Sequence, residues 1–223
     1  MHDSRDGLLA HPAKQQRNLV LATKTWPGGE LPYAFDRGFT EEEKQKIERA
    51  IQALQRETCV RFVRRTNQRN YINVKNSGLG CAAEVGYFNK GYATDLHLSS
   101  PSCLAKPGTI QHEFLHTLGF WHEHTRPDRD KYVSIIWKNI AKGKEDNFLA
   151  RPPEEVQTAG APYDYGSVMH YPSTAFSKDG ISATIVPREN KALFSIGQRD
   201  SYSRVDLAKL NRLYKCAGYP QSF

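Results

Sequence analysis

Hydrophobic positions along the chain repeat with two periods. Between Thr40 and Leu54, the residues Ile47, Ala50, Ile51 and Leu54 fall on one face at a helical repeat. Thr40 and Glu43 form the capping box that opens such a helix. A second helix is predicted over about Thr109 to Leu118, and a third over about Ser203 to Tyr214. In the third, Ser203 and Asp206 make another capping box, and Leu207, Leu210 and Tyr214 share a face. Leu31–Phe35, Val60–Val63, Tyr71–Lys75 and Gly91–Leu98 read instead as short strands, the last with Leu96 and Leu98 on one side. Trp26-Pro27-Gly28-Gly29 and Gly78-Leu79-Gly80 punctuate them as turns. Between the second and third helices the chain is broken by Pro and Gly and has little regular signal. Strands first, then irregular structure and a last helix, predict an α+β fold and not alternating βαβ units.

Composition narrows this picture. At 223 residues, one large domain or two lobes sharing a cleft is expected, and 3 Trp, 11 Tyr and 10 Phe can fill a core, which argues against disorder. No apolar run is long enough to predict a membrane span. The formal net charge is +7, but the basic residues are scattered and Arg61–Arg65 is the densest cluster. No zinc-finger spacing or phosphate loop accompanies them, so no nucleic-acid partner is expected. The charge reads as surface, with a bias towards acidic substrates. Residues 1–17 are polar and aperiodic, and Leu8-Leu9-Ala10 is too short for a secretory signal. They read as the remnant of a pro-segment, or an added leader, ending at Lys14-Gln15-Gln16-Arg17. Cys59, Cys81, Cys103 and Cys216 contain no C-x-x-C pair; their even number suits two disulfides and an oxidising compartment. Spacing alone leaves all three pairings open.

The chemistry is concentrated in His112-Glu113-Phe114-Leu115-His116-Thr117-Leu118-Gly119-Phe120-Trp121-His122. Residues i and i+4 of a helix stand one above the other, so His112 and His116 can face one metal ion. Glu113 then lies beside the metal, where a general base belongs. His122 would point about 240° away on an unbroken helix. Gly119 supplies the break, because glycine accepts the positive φ that turns the chain back under the metal. Three neutral imidazoles leave a fourth position open, the mark of a catalytic and not a structural zinc site. His2, His11, His97, His124 and His170 carry no such pattern and read as surface or core histidines.

H-E-x-x-H-x-x-G-x-x-H is the metzincin signature. With Glu123 after the third histidine, and with Ser167-Val168-Met169-His170-Tyr171-Pro172 downstream, the chain resembles the astacin family. The likeness runs from Trp26-Pro27-Gly28-Gly29 through Thr58-Cys59-Val60-Arg61-Phe62 to Leu213-Tyr214-Lys215-Cys216, nearly everything after Arg17. It implies a two-lobed zincin fold: a twisted, mostly antiparallel-edged sheet plus the active-site helix in the N-terminal lobe, and an irregular C-terminal lobe with a last helix. The catalytic domain would span residues 18–223, in lobes of about 18–122 and 123–223.

The resemblance also implies roles. One Zn2+ would be held by His112, His116 and His122, with Tyr171 as a further ligand at rest that swings away to stabilise the oxyanion. Glu113 would be the base and proton shuttle, and Met169 the floor beneath the metal. The disulfides would be Cys59–Cys216 and Cys81–Cys103. Cleavage after Arg17 would free Asn18, whose ammonium would meet Glu123. The Thr94–Leu98 strand, with Leu96, would be the edge that pairs with an extended substrate, and Arg199 would form a basic wall selecting acidic side chains just after the cut. The expected protein is a secreted, monomeric endopeptidase acting on protein or peptide substrates. The rival, a non-catalytic binding protein on the same fold, is disfavoured because His112, Glu113, His116 and His122 are all intact.

Overall fold

The structure is a computed structural model, and it describes residues 19–20, 24–153, 156–157, 159–189 and 196–223. Its main sheet has five strands: β2 (Glu30–Phe35), β3 (Arg61–Arg64), β4 (Ile72–Lys75), β5 (Cys81–Ala83) and β6 (Thr94–Leu98), following the short β1 (Leu19–Val20). The spatial order is β3-β2-β4-β6-β5. The pairings β2–β3, β2–β4 and β4–β6 are parallel, and only β5 runs antiparallel, against β6. The alternation in Ile72/Val74 and Leu96/Leu98 puts all four side chains out of water on one face.

Two helices cover that face. Helix α1 (Glu41–Arg56) begins at Thr40 with both hydrogen bonds of the capping box, and its predicted stripe of Ile47, Ala50, Ile51 and Leu54 is buried. Helix α2 (Pro107–Thr117) packs against α1 and the sheet, where Phe114 meets Phe62 edge to face at 5.4 Å. Helix α3 (Arg204–Leu213) opens on the predicted Ser203/Asp206 box and adds Leu210 and Leu213 to the same core. A second, smaller core lies in the irregular half of the chain around Val133, Phe148, Tyr163 and Ile185. There β7 (Val133–Ile135) pairs with β9 (Ile185–Pro187), while β8 (Val156–Gln157) pairs with β1.

Both disulfides pair as the resemblance implied. Cys59–Cys216 joins the end of α1 to the chain beyond α3 across a sequence separation of 157 residues. Closing such a loop in the unfolded chain is worth about 5 kcal/mol. Cys81–Cys103 ties β5 to the turn that precedes α2.

The edge strand differs from expectation. Thr94–Leu98 is hydrogen-bonded on both sides, to β4 and to β5, and Leu96 is wholly inside the core, so neither can meet a substrate. The edge strands are β3 and, beside β6, β5. The alternation of Leu96 and Leu98 is the stronger strand signal, but it marks an interior strand packed on the helices. Cys81-Ala82-Ala83 is short, small and exposed, and leaves little pattern.

Candidate active site

Helix α2 is buried over nearly its whole length, so its polar residues must be satisfied inside the protein. It ends in a Schellman motif: Gly119 N–H donates to His116 O and Phe120 N–H to Leu115 O, with Phe120 and Leu115 both buried. The motif requires the left-handed backbone that Gly119 adopts at φ +109°. The chain reverses there, and His122 returns to the two helical histidines.

The three rings converge. His116 Nε2 lies 3.1 Å from the Nε2 atoms of both His112 and His122. His112 Nδ1 donates to Val168 O at 2.8 Å and His116 Nδ1 to Phe120 O at 2.7 Å. A carbonyl oxygen only accepts, so each Nδ1 carries the proton and each Nε2 presents a lone pair. Burial, reinforced by the neighbouring His116, holds His112 and His122 well below the ordinary histidine range; burial also brings His116 down to about 4. Neutral lone pairs facing one another at this distance repel unless a cation lies between them. Zinc–nitrogen bonds of about 2.0–2.1 Å at tetrahedral angles hold nitrogens roughly 3.3 Å apart, so the donor set fits zinc. Among the described residues this is the one group of three ligand-type side chains placed to hold a metal ion.

These histidines line a cleft of about 710 Å³, together with Glu113, Tyr171 and Arg199. Glu113 is buried, and its Oε2 has no hydrogen-bond partner among the described residues. Burial pushes its carboxyl up to about 8, against the pull of Arg199. The Tyr171 ring stacks on His124 and lies tilted against His122, each at 4.3 Å, and its hydroxyl is pushed up to about 12 by burial and then by the Glu113 carboxyl. Arg199 donates through Nη1 to His170 O and Gln198 O. Its backbone abuts the first turn of α2 so closely that a Cβ on Gly108 would stand 2.3 Å from Arg199 O. Only glycine permits that approach.

The sequence pattern of the Astacin peptidase family matches residues 18–215. The chain belongs to the astacin family of zinc metalloendopeptidases. It is 40% identical over 220 residues to zinc metalloproteinase nas-14 of Caenorhabditis elegans, covering 97% of this chain and 42% of that protein. To the low choriolytic enzyme of Oryzias latipes it is 41% identical over 186 residues, covering 83% of this chain and 65% of that protein. The chain thus spans less than two thirds of either relative. Among solved structures, high choriolytic enzyme 1, a hatching-enzyme zinc protease of the same fish, superposes with a TM-score of 0.78 at 39% identity, covering 86% of this chain and 94% of that one. Myroilysin, at 20% identity and a TM-score of 0.63, shares the fold.

In this astacin, Met169 is buried in the main core, and its carbonyl accepts from Glu123 N–H. Glu123 is fully buried. Its Oε1 accepts from Arg126 Nη1 at 3.0 Å and from Asp164 N–H, and its Oε2 from Lys209 Nζ at 2.7 Å. Burial by itself would raise the carboxyl; Lys209 and then Arg126 outweigh it and hold the group below its usual range. Asn18, the predicted partner of Glu123, lies outside the described residues, as do residues 1–17.

Sequence reading missed Lys209, and with it the chain of buried charges running through Glu123, Arg126 and Asp128. The signal that was available is positional: a lysine beside Leu210 and one turn before Leu213, on the inward stripe of α3. Of the described histidines left out of the metal set, His124 and His170 are buried and His97 is half-buried. His170 bonds Tyr163 Oη and Tyr171 O, His124 bonds Asn147 O, and His97 bonds Ser77.

Proposed function

We propose that this astacin domain is a secreted endopeptidase that hydrolyses peptide bonds of extended protein segments, with Glu113 as general base and Tyr171 as oxyanion stabiliser. The observation that carries the reading is the unpartnered Glu113 carboxylate, buried beside three converging imidazole lone pairs in one open cleft. A bound zinc ion supplies Lewis acidity at the scissile carbonyl.

The remaining steps belong to the chain's own side chains. A substrate strand adds to the free edge of β5, whose residues line the same cleft, and gains main-chain hydrogen bonds there. Glu113, whose ionised form Arg199 favours and a bound cation would favour further, takes a proton from the attacking water and passes it to the departing amine nitrogen. Tyr171 donates from its hydroxyl to the oxygen that gains charge, and at rest it would be a further ligand of the metal. Met169 forms the floor of the site. Arg199, half-buried and with no carboxylate in ion-pair reach among the described residues, forms a wall favouring an acidic side chain just after the cut.

Two disulfides, and no described helix long and apolar enough to cross a membrane, support secretion. Maturation after Arg17, with the Asn18 ammonium reaching the Glu123 site, belongs to the same reading. So does action as a monomer.

The test is cleavage profiling on a proteome-derived peptide library, with Glu113→Ala and chelator-treated controls. Wild type is expected to cut, with acidic residues enriched after the scissile bond, and both controls to fall to background. Controls that cut as well as wild type would overturn the mechanism.

A further inference from the structure

Arg199 lines the cleft. Its backbone is bonded to Gly108 N–H in the first turn of α2. The same cleft is also lined by Trp121, just after the reversal at Gly119, and by Arg151. The Arg151 guanidinium lies 3.8 Å from the Trp121 ring centroid, in stacking contact. Its backbone N–H is fixed to Thr125 O at 2.7 Å, within the turn that follows the third zinc-site histidine. The charge is thus held by an aromatic plate and a short backbone tether.

No described residue accepts a hydrogen bond from the Arg151 side chain, and its Nε is both buried and unpartnered. Asp146 lines the same cleft but forms no ion pair with Arg151. A guanidinium offers five donors and stacks on indole without using them, so its edge stays available to a planar, doubly accepting anion. A buried donor without a partner is costly to maintain, and it marks a place where a ligand supplies the missing acceptor.

We propose that Arg151, stacked on Trp121, forms a second cationic subsite that takes an Asp or Glu side chain of the substrate on the side of the scissile bond opposite Arg199. The proposal rests on the endopeptidase reading above and on Arg199 facing the residue after the cut. Arg199 is anchored to the first turn of α2 and Arg151 to the turn after His122, so the two arginines reach the cleft from different elements around the three histidines. On this reading the carboxylate bound by Arg151 belongs to a residue two to four positions before the cut. The substrate class is an extended segment with acidic residues on both flanks of the scissile bond, and the cleft would hold it at two charges with the neutral β5 edge between.

The test uses peptide pairs that share an acidic residue after the cut and carry Glu or Gln two, three or four residues before it. For wild type, kcat/KM is expected to favour Glu by about tenfold at one of these positions, the scale of a charge-assisted hydrogen bond. The ratio should fall to near one in Arg151→Met, survive in Arg151→Lys and invert towards Lys-bearing peptides in Arg151→Glu. Preference for the acid after the cut, set by Arg199, should persist in all three. The same pairs are titrated against the Glu113→Ala protein, followed by tryptophan fluorescence, so that binding preference is read without turnover. Absence of turnover with an intact binding preference would sink the endopeptidase reading and leave the subsite standing. A Glu/Gln ratio of one in wild type, or one that Arg151→Met leaves unchanged, would overturn the subsite.

Discussion

Replacing Lys209 by Met isolates the buried ion pair that joins α3 to the segment after the third histidine. Lys209 and Glu123 have side-chain exposures of 0% and 1%, with Nζ and Oε2 2.7 Å apart. At an effective dielectric of 20, two unit charges at this distance attract by about 6 kcal/mol, and part of that is offset because the lysine no longer needs desolvating. The carboxylate left behind keeps Arg126, but that guanidinium is shared with Asp128 through bonds of 2.8 and 2.9 Å. Breaking one side of a buried pair costs about 3–5 kcal/mol, and that is the expected loss in Lys209→Met, measured by guanidinium unfolding with the disulfides intact. The pH dependence should move as well. The lowered Glu123 carboxyl contributes stability that is present above its unfolded value and lost as pH falls through the folded one. Without Lys209 the folded value rises, so the acid-side loss begins at higher pH. Glu123→Gln in the Lys209→Met background should recover much of the deficit. A single-variant loss under about 1 kcal/mol, or a double variant as unstable as the sum of the singles, would refute the coupling argued from these distances.

Three further outcomes follow from the site. Tyr171→Phe keeps the ring stacking and removes the hydroxyl; kcat should fall by about 10²–10³ with KM little changed, and a fall confined to KM would contradict the oxyanion role. Asp164 is raised to about 6 by burial and then by Asp206. Its unfolded value lies near 3.9, so the folded state binds the extra proton and stability declines as pH rises from about 4 to 6. Asp164→Asn should flatten that window by about 3 kcal/mol, as read from denaturation midpoints at each pH, and an unchanged slope counts against the assignment. Gly108→Ala forces a Cβ against the Arg199 carbonyl; it should cost about 1–3 kcal/mol and erase the preference for an acidic residue after the cut, whereas a variant with wild-type preference would show that the arginine backbone can yield.

The parts legible in the sequence are those where local chemistry and tertiary role coincide. The capping boxes at Thr40/Glu43 and Ser203/Asp206 are complete within four residues, and both helices begin where they stand. The converging histidines could be placed because a helix repeat and one glycine fix their directions. The free edge of the sheet was misplaced because a strand's neighbours are not encoded in its own alternation: Leu96 is a better strand residue than Ala82, and for that reason it is interior. Lys209 and Arg126 went unread for a related cause. A charged side chain is assigned to water unless its partner is known, and Lys209 lies 86 residues from Glu123. Cysteine spacing left three pairings open, since pairing is a property of the folded chain ends.

The longer disulfide has a bearing on how the protein withstands its own chemistry. Residues 81 to 199, which include the edge strand, all three histidines, Tyr171 and both cleft arginines, lie inside the covalent ring closed by Cys59 and Cys216. A single self-inflicted cut in any of the long surface connections of that ring severs the chain without separating the fragments. The nicked molecule keeps its histidines on one covalent body, and it falls apart only when thiols are added.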